Sequence, residues 1–156
     1  MRGDEWFMQE AVREAQKAFQ EGEVPIGAVM VYQNRIIGRG YNRVEALRDP
    51  TAHAEMIAIT AASSYLKNWR LEETSLYVTL EPCLMCTGAL LSTRVSEVIF
   101  ALEDTQLGGC IFLLQKMDGF PIHPKPRLRK GPLGEEAKDL LQSFFQELRK
   151  ENGKKH

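Results

Sequence analysis

With three cysteines in 156 residues, the chain cannot close a disulfide framework, because the number is odd. Two of the three form a C-x-x-C, Cys83 and Cys86, so metal or redox chemistry is the better reading. No apolar run approaches the roughly 18 residues that a membrane helix needs, which excludes a helical membrane span. Neither sign of charge is in surplus: 20 Lys and Arg face 21 Asp and Glu, a net charge of -1. The opening "MRGDEWFMQEA" turns acidic and amphipathic instead of continuing into an apolar signal segment, so the expected address is the cytoplasm. There is no internal repeat, low-complexity tract or linker-like shift in composition. The expectation is a single domain over residues 1–151, followed by a basic, disordered tail at 152–156.

What is present is ordinary for a soluble globular protein: 44% hydrophobic and 26% charged residues. Asp4 is placed to cap a first helix in which Phe7, Ala11, Ala15 and Ala18 recur at helical spacing, with Gly22 ending it. "IGAVMVY" and "RIIGRGYN", separated by Gln33 and Asn34, read as a tight hairpin. Thr51 would cap a second helix running to about Lys67. "SLYVTL" reads as a buried strand, then a helix opens with Pro82 in its first turn, and "SEVIFAL" gives a further strand parallel to it. "KPRLRK" alternates and, with its proline, suits a sheet edge; a last helix spans Gly134 to about Lys150. The sum is an α/β domain with a mixed sheet and helices on both faces.

The chemistry concentrates in two short stretches, "PTAHAEM" and "EPCLMC". Cys83 and Cys86 are three apart and share a helix face, so they can share an ion, and thiol pKa falls at a helix N-terminus. His53 also sits at the start of a helix and is the candidate third zinc ligand. Three protein ligands leave a fourth position open, the mark of a catalytic site. Glu55 is then the candidate proton carrier between metal-activated water and substrate. One tension stands: residues two apart on an ideal helix point to different faces, so His53 must reach back over the helix end while Glu55 faces the pocket.

"HAE" followed by "PCLMC" matches the H-x-E…P-C-x-x-C signature of zinc nucleobase deaminases. With "EVPIGAV", "GYN", "DPTAHAEM", "LYVTLEPCLMC" and "VIFALED" in order, the chain resembles the bacterial tRNA-specific adenosine deaminase family over most of residues 4–113, and again in "LLQSFFQELR". That resemblance implies a cytidine-deaminase-like, three-layer α/β/α fold with a mixed five-stranded sheet. It further implies one Zn2+ per subunit, a homodimer, and conversion of adenosine to inosine at the wobble position of the tRNA anticodon stem-loop. Under it, His53, Cys83 and Cys86 are the zinc ligands and Glu55 the proton shuttle. Asn42, Val24 and Ala54 are substrate-binding positions, and Asp104 lies near the ribose. The chain departs from the family at "LGGCIF" and "HPKP".

Basic residues gather in "HPKPRLRK" and "LRKENGKKH", which makes Lys125, Arg127 and Arg129 candidate phosphate contacts. The competing readings are a redox C-x-x-C, a closed structural zinc site completed by Cys110, His123 or His156, a deaminase of a free nucleobase or nucleotide, and a non-catalytic zinc-stabilised RNA-binding module.

Overall fold

The computed structural model describes residues 1–117 and 124–154. In chain order the elements are α1 (Asp4–Gln20), β1 (Gly27–Tyr32), β2 (Arg35–Tyr41), α2 (Val44–Leu47), α3 (Ala54–Leu66), β3 (Thr74–Leu80), α4 (Leu84–Ser92), β4 (Glu97–Leu102), α5 (Cys110–Lys116), β5 (Arg127–Lys130) and α6 (Gly134–Lys154). The strands form one sheet in the order β2-β1-β3-β4-β5. β1 runs antiparallel to β2 and β3, whereas β3, β4 and β5 are mutually parallel, so the sheet is mixed as expected.

Period-two alternation decides which side chains meet which helices. Ala28 and Met30 of β1, Leu76 and Val78 of β3, and Val98 and Phe100 of β4 point to one face, where α3 supplies Ala54, Ala58 and Ala62 and α4 supplies Leu90. Val29 and Val31, Tyr77, and Ile99 and Ala101 point to the other, against Phe7, Met8 and Ala11 of α1 and Ala137 of α6. Two layers of helix thus bury both faces of the central strands, the three-layer arrangement the resemblance implied.

Three glycines bring helix backbone onto strand backbone. A Cβ on Gly40 would lie 2.2 Å from the Ala54 carbonyl oxygen, and one on Gly38 would lie 2.5 Å from that of Ala58, so α3 rests directly on β2. Gly27 does the same for α1, with the Ala11 carbonyl oxygen 2.1 Å from its missing Cβ.

The hairpin turns through Gln33 (φ 49°) and Asn34 (φ 62°), both left-handed as a type I′ turn requires. Gly22 (φ 75°) follows the end of α1 as expected. Several caps differ from expectation. Asp4 is the first residue of α1 rather than its cap, which is Gly3; its carboxylate is taken by the Tyr77 hydroxyl at 2.6 Å and by Arg129. His53, not Thr51, caps α3, while Thr51 turns back to Asp49. Cys83 caps α4, leaving Pro82 one residue outside the helix. β5 starts at Arg127 and excludes Lys125. α6 continues four residues past Lys150, so 152–154 are helical instead of tail; 155 and 156 lie outside the described residues.

Candidate metal and catalytic site

His53 and Cys83 each occupy a helix N-cap with extended backbone, φ −77° and ψ 155° for His53 and φ −72° and ψ 176° for Cys83. The preceding segment delivers each side chain before the helix begins, and Cys86 joins from one turn inside α4. His53 Nδ1 lies 3.6 Å from the Sγ atoms of both Cys83 and Cys86, and all three ligand atoms fall within 4.8 Å of one another. The tension over residues two apart is removed by this geometry. His53 is outside the helix, so its direction is not tied to that of Glu55, the second residue within it.

The donor set fits zinc: two cysteine sulfurs and one imidazole, close enough for a single ion, with no fourth protein donor in the cluster among the described residues. Cys83 is held low, to about 5, by the hydrogen bond from the Cys86 thiol, and Cys86 is raised by the same contact. A dication held between them would bind both as thiolates, releasing the remaining proton. Glu55 is buried, and burial pushes its carboxyl up to about 7, the range in which a group can both take and give a proton near neutrality.

A cavity of about 400 Å³ opens beside these residues, lined by His53, Glu55 and Cys83 and walled by Val24, Asp104 and Leu107. Its size suits a small organic ligand. A neighbouring cavity of about 540 Å³ shares Val24 and His53 and adds Asn42 and Ala54. The four positions that the resemblance implied for substrate binding, Asn42, Val24, Ala54 and Asp104, thus each line one or both of two cavities that share His53. The Asn42 Oδ1 is sealed from solvent and has no hydrogen-bond partner. A buried acceptor of this kind is costly in the free protein and is explained if a ligand supplies the donor.

Two further residues were not evident from the sequence. Glu23, buried, accepts from the backbone N–H groups of Glu45 (3.0 Å) and Ala46 (2.7 Å), which fixes α2 and the segment leading to His53. Glu81, also buried, accepts from the N–H groups of Asp104 (3.2 Å) and Ile111 (3.1 Å) on the other side of the pocket. The only sequence signal was a carboxylate adjoining each motif, in "EVP" and "EPC". Leu141 and Phe145 of α6 also line the first cavity.

Other expectations fall elsewhere. Arg127 pairs with Glu97 at 2.8 Å, Arg129 is held by Asp4 and Glu97, and Lys125 donates to the Leu114 carbonyl at 3.0 Å. Glu97 is at the opposite end of β4 from Leu102, roughly 17 Å by strand rise, so the structure does not bring these three cations to the cavity. Cys110 is buried apart from the cluster, its thiol pushed up to about 11 by burial. His123 and His156 lie outside the described residues.

Residues 1–102 match the family model for the cytidine and deoxycytidylate deaminase zinc-binding region. The chain is 46% identical over 147 residues to the tRNA-specific adenosine deaminase of Aquifex aeolicus, covering 94% of this chain and 97% of that protein. Among solved structures it is similar to one from work on A-to-I editing by tRNA:A34 deaminases at the wobble position, with a TM-score of 0.82, 36% identity, and coverage of 88% of this chain and 99% of the other. It is also similar, at TM-score 0.65 and 31% identity, to the guanine deaminase of Bacillus subtilis, covering 96% and 95% of the two chains.

Proposed function

Since the chain belongs to the cytidine and deoxycytidylate deaminase family, we propose that it hydrolyses adenosine to inosine at the wobble position of tRNA, releasing ammonia. One observation carries the catalytic half of this reading: three candidate zinc ligands, with no fourth beside them among the described residues, next to a buried glutamate at the wall of a cavity of about 400 Å³. The similarity to tRNA deaminases across nearly the whole chain carries the substrate half.

His53, Cys83 and Cys86 would hold zinc, which when bound would supply the Lewis acidity that activates water at neutral pH. Glu55 would take one proton from the attacking water and deliver it to the ring nitrogen beside the reacting carbon; it would then take the second from the hydroxyl formed on that carbon and hand it to the amine, which leaves as ammonia as the carbonyl forms. Asn42 offers Oδ1 as an acceptor to an N–H of the base, and Val24 and Ala54 pack beside it. Asp104 gives Oδ1 to the N–H groups of Gln106 (3.0 Å) and Leu107 (3.1 Å), which leaves Oδ2 for a ribose hydroxyl. Anticodon-loop bases are single-stranded, so presenting one to the cavity costs little. A phosphate contact by Arg127 or Arg129 would have to compete with Glu97 and Asp4, and would be read as a salt slope that falls on their neutralisation.

No helix among the described residues is long and apolar enough to cross a membrane, and a tRNA substrate accords with a cytoplasmic address. The homodimer contact belongs on the outer surface of the α3–α4–α5 layer, where Leu84, Met85 and Phe112 are exposed. A single domain that runs to the end of α6 at Lys154 completes the reading.

The test is product analysis with zinc-loaded protein, an anticodon stem-loop bearing adenosine at the wobble position, and free adenine, guanine, cytosine and cytidine alongside. Inosine formed in the RNA alone is the expected result. Turnover of guanine alone would reassign the substrate to the free-base class that the Bacillus subtilis structure represents, and bound metal without any ammonia release would overturn the enzyme reading.

A further inference from the structure

Glu81 stands two residues before a candidate zinc ligand yet is no part of the metal cluster. Its two oxygens go to backbone N–H groups at both ends of one loop, Oε1 to Asp104 and Oε2 to Ile111. Its own N–H donates to the Leu102 carbonyl at 2.8 Å, which ties it to the strand entering that loop. The next residue repeats the connection: the Pro82 carbonyl accepts from Gly109 (3.1 Å) and Cys110 (3.2 Å). The loop closes tightly around this carboxylate. A Cβ on Gly108 would lie 2.4 Å from the Asp104 carbonyl oxygen and 2.8 Å from Glu81 Cδ. The turn that carries Cys83 and the loop that carries Asp104 are therefore one mechanical unit, with Glu81 as the buried joint.

We propose that Glu81 is a positioning residue for the deamination, which acts through Asp104 to set where the substrate ribose sits relative to the metal ligands. This rests on the proposed tRNA reaction. Asp104 holds its own turn with one carboxylate oxygen, so its backbone must be fixed from elsewhere for the other to keep a defined direction. Glu81 does this from the segment that leads into Cys83, so one side chain, with the backbone contacts of Glu81 and Pro82, joins the ribose contact to a metal ligand.

The test is steady-state kinetics on the wobble-adenosine stem-loop with zinc-loaded Glu81→Gln, Asp104→Ala and the double variant. Glutamine keeps the shape but aims one amide N–H₂ at a backbone donor, a mismatch worth about tenfold. Expected for Glu81→Gln is full zinc stoichiometry, KM raised about tenfold and kcat changed by less than about threefold. In the Asp104→Ala background the same change should add less than about twofold, because the residue it acts through is gone. Gly108→Ala presses on the joint from the loop side and should give the same KM-selective loss, which keeps the question open to measurement if Glu81→Gln folds poorly. A fall in kcat at constant KM, a penalty fully additive with Asp104→Ala, or loss of zinc would each overturn the proposal. Absence of inosine from the unaltered protein would instead overturn the substrate assignment on which it stands.

Discussion

Replacing Asn42 by leucine should make the protein more stable and nearly inactive. The Asn42 backbone N–H is anchored to the Ile26 carbonyl at 3.1 Å, so the side chain cannot move away, and its Oδ1 is sealed from solvent without a donor. An unpaired buried acceptor costs about 1–3 kcal/mol. Leucine has nearly the same shape and no polar atom, so the free protein should gain about 1–2 kcal/mol, allowing for imperfect packing against Ala54 and Val24. For a domain of this length that raises Tm by about 2–6 °C. Binding reverses the balance, because the base N–H that would have met Oδ1 is left facing a methyl group. Sites built around a hydrogen bond to their substrate discriminate strongly when it is lost, so kcat/KM should fall by at least about 100-fold at unchanged zinc content. Thermal unfolding and inosine formation on the same preparations measure both quantities. A destabilised variant that keeps its activity would refute the reasoning, since the unpaired oxygen would then serve the fold and not the substrate.

Glu55→Ala should retain zinc and fold but lose turnover by about 10³-fold or more, since proton transfer by a positioned group is used twice in the reaction; a variant with full activity would remove Glu55 from the mechanism. Cys110→Ser should leave zinc stoichiometry by atomic absorption and activity unchanged, because Cys110 is no part of the ligand cluster, and loss of metal would favour a structural zinc site. Asp4 is held down to about 2, chiefly by Arg129 and also by the Tyr77 hydroxyl. A carboxyl depressed in the folded state stabilises above its unfolded value of 3.8 and loses that contribution as pH falls through about 2. At Asp4's partial exposure this amounts to about 1 kcal/mol after solvent screening. Urea unfolding of the unaltered protein and of Asp4→Asn should therefore differ near pH 6 and converge between about pH 4 and 2, and a difference that persists at pH 2 would refute the assignment.

The strands and the metal ligands were legible because each is written locally. A strand buried on both faces is a continuous apolar run, and Cys83, Cys86 and His53 declare themselves by residue type. The helix caps misled where side chains had better partners far away in sequence. Asp4 would serve a helix end in isolation, but Tyr77, 73 positions on, and Arg129, 125 positions on, claim its carboxylate. Thr51 yields to His53 because a ligand at the helix end needs extended backbone there. The short helices α2 and α5 were missed for a related reason. Neither has an amphipathic period, and their starts are fixed by Glu23 and Glu81, whose partners lie 22 to 30 residues away. Asn42, Val24, Ala54 and Asp104 came from the family pattern alone; nothing in their local sequence announces that they converge.

The contact of α3 with β2 through Gly38 and Gly40 has a consequence for motion. Where a helix rests on side chains, its height above the sheet follows every rotamer hop beneath it. Here carbonyl oxygens of α3 sit where methyl groups would be, and backbone has no rotamers to exchange. The ledge that presents His53 and Glu55 is thus referenced to the stiffest part of the molecule. Apolar residues elsewhere in the core can fluctuate, or be exchanged for others of similar volume, without altering the level at which the proton carrier meets the cavity.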